Sequence, residues 1–181
     1  MRLFFAINIS DDIKRFMAQE LPRFNYLKFR LVPQENWHVT VKFLGEVPSS
    51  FLPLIDESVH KIAAQCKPFA LTFSHIGFLN RRIFAFSLTR SPKLFALFKL
   101  IDERLASRGV CEPEHFRTFT THITVGRKHP PIRENLHAVR YFELKARSPV
   151  SFMVESIDCM ESTLLKEGSK YTHKKSYYLS R

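Results

Sequence analysis

Glycine is scarce, with five in 181 residues. No G-x-G-x-x-G or Walker-type run occurs, which excludes the two common glycine-rich phosphate cradles. Cysteine is scarcer still. Cys66, Cys111 and Cys159 lie far apart and form no C-x-x-C pair, so neither a disulfide framework nor a zinc ribbon is expected, and a reducing cytoplasm fits best. No apolar run approaches the roughly 18–20 residues that cross a bilayer, so no membrane association is expected. The apolar stretch at residues 3–7 is soon followed by Asp11 and Asp12 with nothing like a cleavage site, and it reads as a strand rather than a leader. Linkers and low-complexity segments are missing too, so residues 1–181 are expected to form a single domain.

What the chain does have is charge of one sign and phenylalanine. Lys and Arg number 28 against 17 Asp and Glu, a formal balance of +11, and 18 of the residues are Phe. The aromatics predict a phenylalanine-packed core. With no membrane segment to account for it, the positive surplus points to a polyanionic partner, nucleic acid first.

Hydrophobic periodicity gives the elements. Residues 3–9 alternate as a strand; Ser10 is placed to cap a helix that carries Ile13, Phe16, Met17 and Leu21 on one face and is closed by Pro22. An extended segment at 37–44, a helix over 50–66 with Ile55, Val59, Ile62 and Ala63 in register, and a strand at 69–73 follow. The order then repeats. A strand at 83–88 leads to a helix opened by Ser91 and Pro92, lined by Leu94, Phe98, Ile101 and Leu105 and ended at Gly109. After it come an extended segment at 121–126, a helical pattern at 134–139, a strand at 152–157 and a last strand at 171–179. Matching elements lie 80, 84 and 83 residues apart (3 to 83, 38 to 122, 69 to 152). The near-constant offset predicts an α+β fold of duplicated β-α-β-α-β halves, forming two antiparallel-sheet lobes with a central cleft and helices outside.

The two middle strands carry the chemistry: Trp37-His38-Val39-Thr40-Val41-Lys42-Phe43 and Thr121-His122-Ile123-Thr124-Val125-Gly126-Arg127. By alternation Val39, Val41 and Phe43 share one face, and His38, Thr40 and Lys42 the other. One H-x-T tripeptide would mean little; two at the same step of a repeat are hard to obtain by accident. The other six histidines, His60, His75, His115, His129, His137 and His173, show no such pattern and read as surface or loop residues. Two opposed imidazoles suit displacement at phosphorus, one accepting a proton and the other donating one. Thr40 and Thr124 would hydrogen-bond the non-bridging phosphate oxygens. Arg127 would add a charged contact if the chain turns back at Gly126, the other reading being a solvated strand-end arginine.

These residues resemble the two-histidine (2H) phosphoesterase superfamily, and within it the bacterial and archaeal RNA 2′,3′-cyclic phosphodiesterases, also called 2′-5′ RNA ligases. The likeness covers nearly the whole chain. It includes the opening Met1-Arg2-Leu3-Phe4-Phe5-Ala6-Ile7 and the run from Val32-Pro33-Gln34-Glu35-Asn36 through the first motif to Leu44-Gly45-Glu46. Arg117-Thr118-Phe119 and Glu161-Ser162 complete it. Thr121 stands where the family usually has proline. The resemblance implies hydrolysis of a 2′,3′-cyclic phosphate at an RNA 3′ end to a 2′-phosphomonoester, without metal or cofactor. His122 would be the base toward water, and His38 the acid toward the departing 3′-oxygen. Thr40, Thr124 and Arg127 would hold the phosphate. Joining of RNA halves, such as tRNA fragments, through a 2′-5′ linkage at the same site is also credited to the family. Only RNA forms such a ring, because the ring needs the 2′-hydroxyl.

Lys42 and Arg117 are candidate contacts to the RNA backbone, and Phe43 and Phe119 are candidate stacking platforms for bases. For Phe43, which alternation places on the apolar face, core packing is the preferred reading. A monomer is expected. The competing readings are a catalytically silent RNA-binding module, which loss of a motif residue would favour, and a metal-dependent or serine hydrolase. No H-x-x-x-H, H-E-x-x-H or G-x-S-x-G occurs to support either hydrolase.

Overall fold

The computed structural model describes residues 1–114, 120–128, 141–144, 149–165 and 168–180. β1 (Arg2–Asn8) is buried along its whole interior. Leu3, Phe5 and Ile7 enter the main core on one face, while Phe4 and Ala6 pack with Met160 and Tyr171 on the other. α1 (Asp11–Glu20) begins after Ser10, which occupies the cap position without bonding through its side chain. Pro22 does not end the helical path. It falls in the first turn of a 3-10 segment (Leu21–Leu27), where its missing N–H costs nothing.

β2 (Arg30–Leu31) and a 3-10 turn (Gln34–Asn36) precede β3 (His38–Glu46). The second helix is shorter than its periodicity suggests: a 3-10 turn (Ser49–Phe51) leads into α2 (Leu52–Ala63). β4 (Phe69–Phe78) runs past the expected end, and β5 (Ile83–Leu88) follows. α3 (Pro92–Ala106) is capped by the Ser91 hydroxyl, which accepts from the Leu94 N–H at 3.2 Å. β6 is His122–Arg127. The strand expected at 152–157 is in fact two, β7 (Ser151–Val154) and β8 (Ser156–Leu165), and β9 (Gly168–Tyr178) completes the chain. The helix expected at 134–139 lies outside the described residues.

Helices and an antiparallel curled sheet make up the fold, with strand order β7-β4-β5-β6-β3-β1-β8-β9 and β2 beside β6. Two features refine the expected lobes. They are joined into one sheet through β3 and β6, where Val39 pairs with Ile123. Their third strands are also exchanged, since β4 of the first half pairs with β5 and β8 of the second pairs with β1. The break at Glu155 makes this possible by sending β7 to β4 and β8 to β1. Met17 of α1, Val59 of α2 and Ile101 of α3 share one core with Val39, Val41, Ile123 and Val125, so the motif strands are clamped from the helical face; on the opposite, open face His38, Thr40, His122 and Thr124 are half-buried and Phe43 and Arg127 exposed.

Phenylalanine dominates the packing as composition suggests. Phe84 is wholly buried, with Phe29, Phe78 and Phe24 ring centroids at 4.5, 4.9 and 5.2 Å. Phe84→Ala should therefore cost about 3–5 kcal/mol, read as a fall in the denaturant midpoint at constant slope; a change below about 1 kcal/mol would show that this cluster does not support the sheet.

Candidate active site

His38 is the first residue of β3 because the chain is fixed just before it. Trp37 is buried, and its indole N–H donates to the Val32 carbonyl at 2.8 Å. Nδ1 of His38 lies 2.7 Å from the Asn36 carbonyl oxygen, and Nδ1 of His122 lies 2.9 Å from that of Thr120. A carbonyl only accepts, so both rings carry hydrogen on Nδ1 and present Nε2 as the basic nitrogen. Each imidazole is thus oriented by the carbonyl two residues upstream. The Thr40 hydroxyl donates to Nε2 of His38 at 3.1 Å.

The strand register brings the two motifs together. With Val39 opposite Ile123 in an antiparallel pair, His38 falls opposite Thr124 and Thr40 opposite His122. The imidazoles occupy diagonal corners of a four-residue square, where backbone positions are about 7–8 Å apart. Ala6 and Ala85 flank this square, paired with Thr40 and Thr124, and leave space beside both hydroxyls.

Burial is the chief cause that pulls His38 down to about 4; the bond to the Asn36 carbonyl opposes it, and the charges of His122 and Arg127 add to it. His122 is lowered as well, first by burial and further by Arg127, against the bond to Thr120. Both rings are therefore neutral at neutral pH in the free protein. Phe4 and Tyr171 account for much of the burial of His38, with ring centroids 5.2 and 5.3 Å from it.

Beyond the square, the structure reverses two expectations for one reason. Thr40 pairs with Ala6, but the next pair is Lys42 with Phe5, so Val41 is an extra residue in β3. This bulge shifts the alternation. Lys42, expected on the histidine face as an RNA contact, instead enters the core, its side chain 1% exposed. There it meets Asp102 at 2.6 Å, Glu114 at 3.0 Å and the Glu112 carbonyl at 3.2 Å. Desolvation works against its charge, but the bonds to Asp102 and Glu114 outweigh it and hold the ammonium above its ordinary value. Phe43, expected in the core, is 53% exposed, with its ring 5.5 Å from Phe4 on the open face.

The same device recurs in β6. Thr124 pairs with Ala85 and Gly126 with Phe84, leaving Val125 as the extra residue. Gly126 then faces the core, where a Cβ would lie 2.2 Å from Phe29, and Arg127 is exposed on the histidine face. A bulge, not a turn at Gly126, brings the arginine round. Arg117 and Phe119 lie outside the described residues, as do His115, His129 and His137. His60 and His173 are exposed and His75 is half-buried.

The sequence reading missed the polar group beside His38. Asn8, in register with His38, donates to Asp158 at 2.8 Å, and Ser176 donates to the same carboxylate at 2.5 Å. It also missed the roles of Phe4 and Tyr171, although the unbroken apolar run at residues 3–7 signals a strand buried on both faces.

Because Lys42 neutralises buried carboxylates rather than phosphate, Lys42→Met should destabilise the fold by about 3–5 kcal/mol. Adding Asp102→Leu should recover most of the loss in chemical denaturation. Lowered RNA affinity with unchanged stability would return Lys42 to the binding surface.

The profile of the 2′-5′ RNA ligase superfamily matches residues 9–164. A protein of Methanocaldococcus jannaschii named RNA 2′,3′-cyclic phosphodiesterase is 36% identical over 130 residues, 70% of this chain and 71% of its own. One of the same name from Thermotoga maritima is 26% identical over 185 residues, 94% and 91% of the two chains. The crystal structure of Escherichia coli LigT in apo form superposes with a TM-score of 0.77 at 24% identity, covering 99% and 98% of the two chains; LigT has also been solved with phosphate and with 3′-AMP. The fold, the matched profile and the M. jannaschii relative agree, and the chain belongs to the 2′-5′ RNA ligase superfamily.

Proposed function

We infer that the protein hydrolyses 2′,3′-cyclic phosphate at RNA 3′ ends to a 2′-phosphomonoester, using His38 and His122 as an acid–base pair and no metal. The observation that carries this reading is the pair of Nε2 atoms, each freed by a carbonyl bond to Nδ1, on diagonal corners of one open square. The naming of the curated relatives supports the reaction, and the complexes of LigT with phosphate and 3′-AMP support the ligand class.

In this mechanism water attacks phosphorus as His122 Nε2 takes its proton. The bond to the 3′-oxygen breaks, and His38 delivers a proton to that oxygen. Thr40, Thr124 and Arg127 hold the non-bridging oxygens, where negative charge grows. The deeper depression of His38 suits this division: once protonated it is the stronger acid, and His122 is the stronger base. The bound phosphate, being anionic, favours the protonated ring that the free protein disfavours. A 5′-hydroxyl in place of water, with the same leaving oxygen, would produce a 2′-5′ link.

The steps above call on no metal. Among the described residues no three His, Cys, Asp or Glu side chains converge on a point that would hold a cation, and threonine hydroxyls are poor ligands for zinc. No described helix is long and apolar enough to cross a membrane. A monomer built from duplicated halves, acting on RNA ends such as those of cleaved tRNA in the cytoplasm, completes the reading. Phe43, exposed beside Phe4, offers a face for a base to stack on.

His38→Ala and His122→Ala should each lower kcat/KM for a nucleoside 2′,3′-cyclic phosphate by about 10²–10⁴-fold, and EDTA should leave the wild-type rate unchanged. Full turnover by either variant would refute the assignment. Chromatography should find the 2′-phosphate as product.

The pH dependence follows from the two depressed imidazoles. The working enzyme holds one proton between them, a state lost below the lower pKa and above the higher. Since both lie beneath the ordinary value of 6.5, kcat/KM should trace a bell whose alkaline limb falls below pH 6.5. An optimum above pH 7 would show that the cleft does not disfavour charge on the rings.

A further inference from the structure

The open face carries a second arginine that the reaction above does not use. β2 contributes two residues to the sheet, yet its register sets Arg30 directly opposite Arg127. Like charges across a strand pair repel unless something negative lies between them. Among the described residues, the arginines that pair with carboxylates are Arg15, Arg23 and Arg108; Arg30 and Arg127 do not.

Arg30 also has a seat shaped for it. Gly168 opens β9 at φ +135°, and a Cβ there would lie 2.8 Å from Nη2 of Arg30. The hairpin of β8 and β9 thus gives up a side chain where the guanidinium lies. Asn36 pins the same end of the hairpin, its amide donating to the Ser169 carbonyl at 3.1 Å. The three strand steps from Thr124 to Arg127, at about 3.3 Å per residue and shortened by the bulge, put the arginine pair about 7–10 Å along the sheet from the histidine square. The charge of Arg127 lowers both imidazoles, while the Arg30 guanidinium lies against Gly168, at the start of β9. Arg30 is the outward member of the pair.

We propose that Arg30 binds the phosphodiester joining the terminal nucleotide to the rest of the RNA strand, so that the two arginines grip successive phosphates. The proposal rests on the reading of the site as one for RNA cyclic phosphate ends, and it adds a reason why an oligonucleotide would be preferred to a mononucleotide. A guanidinium suits this task because it can meet two phosphate oxygens at once.

The test compares a nucleoside 2′,3′-cyclic monophosphate with a dinucleotide that ends in the same ring. Arg30→Gln should lower kcat/KM on the dinucleotide by about 10- to 100-fold, a loss at least tenfold greater than on the mononucleotide. Arg30→Lys should recover part of it, and circular dichroism melting checks that both variants fold. Equal losses on the two substrates would assign Arg30 to the reacting phosphate, and no loss on either would remove it from the site; both overturn the proposal. Binding of a fluorescent oligoribonucleotide ending in a 2′-phosphate separates this from the catalytic reading. Arg30→Gln should weaken it 10- to 100-fold and lower the slope of log K against log salt by about 0.7. An unchanged slope overturns the proposal. A wild-type protein that binds this RNA through Arg30 yet opens no ring would overturn the hydrolase reading alone.

Discussion

Because side chains alternate along a strand, the one residue inserted at Val41 against β1, and again at Val125 against β5, hands the later side chains of each strand to the opposite face. Without the second bulge Arg127 would point into the core, where its charge has no partner, and Gly126 would face the cleft with nothing to offer. Without the first, Lys42 would lie beside the histidines and its two carboxylates would be left buried without a cation. The bulges also increase local twist where the lobes meet, at a place where β3 and β6 share little ladder. The cleft therefore depends on two small irregularities; a further register shift in β3, at Leu44, lies beyond Phe43.

Those irregularities explain where sequence reading stops. Most of the described strands and helices were legible, because period-2 and period-3.6 patterns survive errors of a few residues at the ends; α2 and β4 differ from expectation only in their limits, whereas β2 and the break at Glu155 were not legible. His38, Thr40, His122 and Thr124 were legible because they precede the bulges, so simple alternation places them correctly. Past Val41 it fails, which is why Lys42 and Phe43 exchanged places. A bulge in an apolar β-branched residue leaves no compositional mark, since valine is as ordinary in a bulge as in a ladder. The exchange of third strands was equally hidden, as pairing between β4 and β5 or β8 and β1 depends on the whole sheet rather than on any local pattern. Arg30 had only its place in space to recommend it.

Charge is divided between the faces in a way that suits phosphate. On the core side Lys42 bridges β3 to Asp102 of α3 and to Glu114, and Asp102 also accepts from the Glu114 N–H at 3.1 and 3.2 Å. A buried cation with two carboxylates is satisfied and fixes the segment that leads toward the second motif. On the open face Arg30 and Arg127 stand without carboxylate partners among the described residues, and burial keeps the imidazoles neutral in the free protein. Asp158, beside Asn8, is occupied by Asn8 and Ser176. An anion entering the square would thus meet arginines and hydroxyls, with the Thr40 hydroxyl turning to it from Nε2 of His38.

The two motifs are alike for as long as the chemistry requires symmetry and differ beyond it. His38 and His122, Thr40 and Thr124, and Val41 and Val125 correspond at an offset of 84 residues. The next pair is Lys42 with Gly126, and the one after it Phe43 with Arg127. Gly126 is required because Phe29 packs where its side chain would be, whereas the equivalent space under β3 holds the Lys42 ion network. On the open face an exposed aromatic stands where the other strand offers a guanidinium. A symmetric pair of acid–base groups has no preferred direction by itself. Arg127 stands past Thr124 at one end of the square and Phe43 past Thr40 at the other, so the two ends differ in charge and in exposed apolar surface. In the proposed mechanism, such a difference is what would let two chemically identical imidazoles take different parts in one reaction.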